Sequence, residues 1–400
     1  MFLNFQTLLL KSTKKCNATC THCSAIKNKQ RNLTLEDAKN IIDKVAKYVF
    51  GRCSLIFHGG EPMLMGVDFY KELIEYIENK YPNKFTYAMQ SNFLLYNKEW
   101  FELISKYKIG MSTSYDFYSD IRNLGGNVKK YYDIWYKNIK QFQKDMSEYL
   151  NTDFYPYVIN IVNKQNHKKI KEIYEIAKKE KFNIRHNYFY KVGRGDKNSE
   201  KYYIEPEDYG KFLVDMFNLW INDALAGNID INFFKVYPSS YFVEKVISID
   251  NGGHMCPWLN TCGGTFLAIE PTGVFYNCSE MADINGFPYG NIFEIDDLKE
   301  IILTENFQKI YQRRRKLPKE CLSCKYYKYC QGGCMRDSYI NERNFGNLYG
   351  KTWACKAWYM IFEEVLKYKN FFEKVYVIDK MNLKKQNLEK FNTDMAKYYS

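Results

Sequence analysis

The 12 cysteines of this 400-residue chain fall into groups, and that grouping constrains the fold more than any other feature. Cys16, Cys20 and Cys23 form one group, Cys256, Cys262 and Cys278 a second, and Cys321, Cys324, Cys330, Cys334 and Cys355 a third, with Cys53 apart. In a small secreted domain such density means disulfides; in a long chain without a signal segment it points to metal. Thiolates at short spacings suit zinc or iron–sulfur clusters. The start, MFLNFQTLLLKSTKK, has no basic region ahead of its leucines and no small-residue cleavage site, so a cytoplasmic protein is expected. No apolar run approaches the ~20 residues that span a bilayer, so no membrane partner is expected.

Composition adds bounds rather than identity. Apolar residues at 46% and charged residues at 26% exclude a disordered or fibrous chain. The net charge of +12 fits an acidic peptide, nucleic acid or no partner at all. Its tightest basic run, Arg313-Arg314-Arg315-Lys316 before Pro318, reads as a solvated helix end.

From residue 5 to about 190, β-type runs alternate with amphipathic stretches. Strands are expected near 5–11, 54–58, 84–90, 108–113, 156–162 and 183–190, and helices near 35–49, 67–80, 97–106, 129–148 and 167–180. The helix from 35 opens on the capping signature Thr34-Leu35-Glu36-Asp37. Such alternation argues for parallel βα units, here six. A helix is expected over about 205–227, and Pro271-Thr272-Gly273 reads as a hairpin turn. The last 45 residues are Lys-rich and read as helical.

Lys15-Cys16-Asn17-Ala18-Thr19-Cys20-Thr21-His22-Cys23 follows the first expected strand. Three thiolates in eight residues can hold three irons of a cubane, leaving the fourth open to the amino and carboxylate groups of S-adenosylmethionine (SAM). The C-x3-C-x2-C spacing resembles the radical SAM superfamily, and Gly59-Gly60-Glu61-Pro62 after the second strand resembles its Gly-Gly-Glu-Pro segment. The resemblance implies a partial (β/α)6 TIM-like barrel that cleaves SAM to a 5′-deoxyadenosyl radical. It places His22 beside the adenine, Gly59, Gly60 and Glu61 at the methionine ammonium, and Asn92 and Ser112 at further SAM contacts. The family's arginine aligns with Gly126, and Arg122 is the expected substitute.

Cys321-x2-Cys324-x5-Cys330-x3-Cys334 and then Cys355, with Cys262-x10-Gly273-x4-Cys278 upstream, resembles the SPASM extension of peptide- and sulfatase-maturing relatives. A pair of zinc ribbons is the bland reading. By the resemblance, one auxiliary [4Fe-4S] cluster takes Cys256, Cys262, Cys278 and Cys334, and the other Cys321, Cys324, Cys330 and Cys355. With the first motif this makes three [4Fe-4S] clusters. Closed auxiliary clusters suit electron relay. The expected division is a radical SAM core at 1–235, a SPASM domain at 236–356 and a helical tail at 357–400.

Anaerobic sulfatase-maturating enzymes, which oxidise a sulfatase cysteine or serine to formylglycine, look most similar in length and cysteine pattern. Two departures stand out. Their aspartate after the third auxiliary cysteine is Ser279 here, and their glutamine before Gly-Gly is His58. A hydroxyl cannot serve as the same base at pH 7, and Glu280 next to it would face the other way on a strand. Ser279, Glu280 and His58 are therefore the catalytic candidates. The leading expectation is a maturase of a ribosomally made peptide, forming a crosslink, an epimer or an oxidised side chain; formylglycine formation is the alternative. An RNA- or cofactor-modifying radical SAM enzyme comes third, and nucleic acid is not the favoured partner. Only 15 residues precede Cys16, so peptide capture is expected to use the barrel, the basic surface or the C-terminal helices. A one-electron reductant such as flavodoxin or ferredoxin is implied. Cys53 reads as a small buried hydrophobe, and His167, His186 and His254 as local hydrogen-bonding residues, with His186 near the barrel mouth.

Overall fold

The computed structural model describes residues 3–24, 31–237, 242–243, 246, 256–259, 262–344 and 346–374. Its core is six parallel strands joined in sequence by helices. They are β1 (Thr7–Thr13), β2 (Cys53–Gly59), β3 (Phe85–Gln90), β4 (Gly110–Ser114), β5 (Tyr157–Val162) and β6 (Asn183–Tyr188). The intervening helices are α1 (Leu35–Ala46), α2 (Val67–Lys80), α3 (Lys98–Tyr107), α4 (Val128–Leu150) and α5 (Ile170–Glu180). Each expected element is present within a few residues. Thr34 and Asp37 cap α1 reciprocally, satisfying backbone donors that the helix itself leaves open.

The sheet goes beyond six strands without closing. Val236–Tyr237 (β7) adds to β6. At the other edge Phe266–Ile269 (β8) pairs in parallel with β1, matching Thr7 to Phe266 through Leu10 to Ile269. Val274–Tyr276 (β9) turns back on β8, and Gly290–Asn291 (β10) ends the row. The hairpin turn falls where expected, with Gly273 at φ 89°. The partial barrel and the cysteine-rich extension therefore share one ten-stranded sheet.

Two helices close the back. Pro206–Leu225 buries Phe212, Leu213, Phe217 and Trp220, with Phe212 on His186 of β6 and Phe217 and Trp220 on Phe372. Cys355–Leu366 packs along it at Gly210, where a Cβ would meet Met360 Sδ at 2.7 Å and Ala357 Cα at 3.0 Å. The expected tail boundary at 357 thus runs through a helix that begins at a cysteine. Residues 375–400 of that tail lie outside the described residues.

Candidate active site and cysteine centres

The first three cysteines lie on the loop after β1, held by the loops that follow other strands. Thr19 and Thr21 donate backbone bonds to Asn123 and Ile121, at 2.9 and 2.8 Å, and Arg194 N donates to Cys23 O at 3.1 Å. Asn92, just beyond β3, points its amide at Cys16 Sγ (3.8 Å) and Asn17 Oδ1 (2.7 Å). Burial, opposed by the nearby Arg122 guanidinium, raises the Cys20 pKa.

Arg122 lies close to the first cysteine motif. Its Nε pairs with buried Asp116 at 2.6 Å, and its charge acts on both Cys20 and His22. Burial first and Arg122 second push His22 well below its ordinary pKa, so the ring is neutral at pH 7 and offers a flat face beside the cysteines. Its Nδ1 is buried without a hydrogen-bond partner. Ser112 lies on β4, donating to Gln90, whose amide reaches Ser114 at 2.9 Å.

The glycine segment packs tightly against the backbone that leads into Cys16. A Cβ on Gly60 would lie 2.2 Å from Lys15 O and 2.7 Å from Lys14 O; one on Gly59, at φ 141°, would lie 2.2 Å from Thr13 O. These glycines are needed because β2 abuts the backbone leading into Cys16. The Glu61 side chain is engaged within the protein. It is 1% exposed, and its carboxylate accepts from Met63 N (3.0 Å), Ser91 Oγ (2.8 Å) and Asn92 N (2.7 Å). Burial outweighs these bonds and pushes its pKa up to about 7. Glu61 joins the ends of β2 and β3.

Of the three catalytic candidates, the structure separates Glu280 from the other two. Residues Ser279–Asp283 form a short helix starting directly after Cys278, so strand alternation does not apply. Glu280 is half exposed and pairs with Arg336 Nη2 at 2.9 Å, away from the first motif. Arg336 in turn lies over the Tyr190 ring at 3.8 Å. Ser279 is buried and its carbonyl accepts from Lys11 Nζ at 3.3 Å. His58 is the register neighbour of Lys11, and burial with the Lys11 charge lowers its pKa to about 4.

The carboxylate brought to the first motif is Asp283, which the sequence reading missed. Lys11 Nζ reaches Asp283 Oδ1 at 2.5 Å and Glu270 Oε1 at 3.0 Å, and Lys14 pairs with the other Glu270 oxygen. Ser24 Oγ, next to Cys23, donates to Asp283 Oδ2 at 2.9 Å. Burial opposes ionisation of Asp283, but the Lys11 ammonium outweighs it and holds the carboxyl below its ordinary range. The one signal available was the lysine interrupting the apolar run TLLLKST; a buried lysine needs a carboxylate.

All twelve cysteines are thiols rather than disulfides. The eight auxiliary ones sort by mutual influence. After burial, the pKa of Cys262 is raised by Cys256, Cys278 and Cys334, and that of Cys278 by Cys334 and Cys256. Cys330 is raised likewise by Cys355, Cys321 and Cys324. Among the described residues no three Cys, His, Asp or Glu side chains form a group that could hold a single metal ion. Cys53 is fully buried, with burial raising its pKa to about 12, as a packing residue should be. His186 bonds Asn160 at 3.2 Å and packs on Phe212 of the helix behind the sheet, so it faces away from the barrel mouth. His167 Nδ1 contacts Lys164 O at 3.1 Å, a local bond, and His254 lies outside the described residues.

A parallel half-barrel presents three cysteines, a neutral imidazole and an arginine at one mouth, and residues 10–177 match the family model of the radical SAM superfamily. The chain is similar to radical SAM maturases over most of its length. It is 27% identical to a cysteine-type anaerobic sulfatase-maturating enzyme of Clostridium perfringens, over 82% of this chain and 89% of that protein. A cysteine-type counterpart from Clostridium novyi is 26% identical over 92% and 94%. Among solved structures, native anSMEcpe with bound AdoMet and the Cp18Cys peptide matches with a TM-score of 0.76 at 24% identity, covering 92% of this chain and 99% of that one. Streptococcus suis SuiB bound to precursor peptide SuiA shares the fold more distantly, with a TM-score of 0.59 at 17% identity over 87% and 75%. No helix among the described residues is long and apolar enough to cross a membrane.

Proposed function

We propose that this chain oxidises a cysteine or serine side chain carried on a protein or peptide to formylglycine, with Asp283 as the proton acceptor. The single observation that carries the reading is the Ser24–Asp283–Lys11 arrangement beside Cys23. Likeness to cysteine-type sulfatase maturases over more than four-fifths of both chains supports the same side chain as substrate and reverses the order of the two expectations stated above.

Bound SAM on a cluster at Cys16, Cys20 and Cys23 would supply the radical that takes a hydrogen atom from the substrate β-carbon. The remaining steps belong to this chain's residues. Lys11 keeps Asp283 ionised at pH 7, and Ser24 fixes the orientation of the accepting oxygen. A depressed pKa makes Asp283 a modest base, which suffices because a thiol or hydroxyl on a carbon-centred radical is strongly acidified. The substrate would thus lose a hydrogen atom, a proton to Asp283 and one electron to clusters held by the auxiliary cysteines, leaving an aldehyde from serine, or from cysteine a thioaldehyde that water hydrolyses to the aldehyde with release of sulfide. Glu280, held by Arg336, takes no part, and neutral His58 lines the site.

The same reading assigns the expected sets, Cys256, Cys262, Cys278 and Cys334 and then Cys321, Cys324, Cys330 and Cys355, to two auxiliary [4Fe-4S] clusters. It divides the chain into a core at 1–235, a cluster-bearing extension at 236–356 and a tail from 357, in a cytoplasmic enzyme fed by an acidic one-electron carrier such as flavodoxin or ferredoxin.

The test is mass spectrometry of a sulfatase-derived cysteine peptide after anaerobic incubation with enzyme, SAM and reductant. Conversion of the thiol to an aldehyde is expected; an unaltered peptide alongside SAM cleavage would refute it. One residue favours the second reading, a maturase of ribosomally made peptides: Ser279 falls where the resemblance to sulfatase-maturating enzymes implies an aspartate. Under that reading the product is a crosslink or epimer and carries no aldehyde.

A further inference from the structure

Of the run Arg313-Arg314-Arg315-Lys316, the first residue is not solvated at all. Arg313 is 0% exposed. Its Nη1 donates to Leu348 O and, at 3.4 Å, to Gly350 O; its Nη2 donates to Gly332 O and Ser338 Oγ, each at 2.9 Å. All four acceptors are neutral, and Nε has no partner. The other buried cations differ. Lys11 and Lys14 pair with Glu270 and Asp283, and Arg336 with Glu280 and Asp337. Among the described residues Arg313 is the buried cation with no carboxylate.

A buried guanidinium without an anion is costly, so its counter-charge must come from elsewhere. The surroundings show where. Gly332 lies between Cys330 and Cys334, Ser338 Oγ also reaches Cys334 O at 3.3 Å, and Gly350 lies five residues before Cys355. The thiols close enough to act on Arg313 are Cys334 and Cys262 from one set and Cys321 and Cys330 from the other. A cubane held by four thiolates carries net negative charge, and one more negative charge when reduced.

We propose that Arg313 is the shared counter-cation of the two auxiliary clusters, seated between them and raising the reduction potential of both. The assignment rests on the reading that the eight thiolates hold iron–sulfur clusters. Its hydrogen bonds tie the Cys330–Cys334 turn, which supplies a ligand to each set, to the segment leading into Cys355. The fork is therefore fixed in place, and its charge favours the reduced, more negative state of either cluster.

The test is an EPR-monitored redox titration of the reconstituted enzyme, with iron analysis, for wild type, Arg313→Met, Arg313→Lys and the control Arg314→Met. In Arg313→Met both auxiliary midpoints are expected to fall, with the ratio of reduced to oxidised cluster at a given potential dropping at least tenfold, about 59 mV for a one-electron couple. Arg313→Lys keeps the charge and loses the fork, and is expected to stay near wild type. Full iron in Arg313→Met with unchanged midpoints would overturn the proposal. Should Arg313→Met fail to assemble, Arg313→Gln takes its place, and a lysine variant whose midpoints fall as far as the neutral one would overturn it too. Wild-type enzyme that reconstitutes with only about four irons would instead remove the cluster reading itself.

Discussion

Ser24 donates a 2.9 Å hydrogen bond to Asp283, joining the residue after Cys23 to the helix that follows Cys278. Two cysteine-bearing segments 259 residues apart therefore meet at one carboxylate. The other oxygen of that carboxylate is held by Lys11, on the strand that leads into the first motif. The loop that would carry SAM is braced by the extension, and the proposed proton acceptor is placed by the same contacts.

Asp283→Asn should keep SAM cleavage and lose peptide oxidation by roughly 10²–10⁴-fold, the usual contribution of a positioned base. Glu280→Gln should keep both, because its carboxylate serves Arg336. Chromatography of 5′-deoxyadenosine alongside mass spectrometry of the peptide separates the two. Equal losses of product in both variants would remove Asp283 from its special role.

The Lys11–Asp283 pair also makes a prediction about pH. The folded pKa of Asp283 is depressed, so its stabilising contribution is fully present above the unfolded value of about 3.9 and is lost as pH falls through the folded value. Lys11→Met leaves a buried carboxylate unpaired and should cost about 3–5 kcal/mol at pH 7. Urea unfolding at successively lower pH should show the gap from wild type narrowing as Asp283 becomes protonated, down to its folded pKa. A gap independent of pH would mean that the lysine acts through packing alone.

Gly60→Ala should damage the first cysteine centre rather than SAM contacts alone. The added methyl meets Lys15 O at 2.2 Å, a backbone atom directly before Cys16, so the cysteine loop must shift. Reconstituted iron should fall from about twelve toward about eight per chain while the auxiliary signals persist. Full iron with weakened SAM binding would place the glycine's role at the ligand.

The elements were legible in the sequence because apolar periodicity and caps such as Thr34/Asp37 act locally. So were the cysteine groups, whose spacing is itself the signal. Asp283 was hidden because its partners Lys11 and Ser24 are more than 250 residues distant. The orientation of Glu280 is not legible in the sequence, because the strand ends at Tyr276 and the chain enters a helix directly after Cys278. Arg313 reads as part of a solvated helix end because a run of four basic residues averages over their environments. In the tight turn Arg313–Arg315 the first side chain goes inward while its neighbours do not.

Cys324→Ala should spare some 5′-deoxyadenosine formation and block product, since the electron leaving the substrate loses its exit. Iron should drop by about four per chain. Unchanged product yield would argue against a relay through that set.

The most direct measurement is isotope transfer from a peptide whose target cysteine carries deuterium on its β-carbon. Deuterium is predicted to appear in 5′-deoxyadenosine in step with aldehyde formation on the peptide. Unlabelled 5′-deoxyadenosine beside an unchanged peptide would contradict the account.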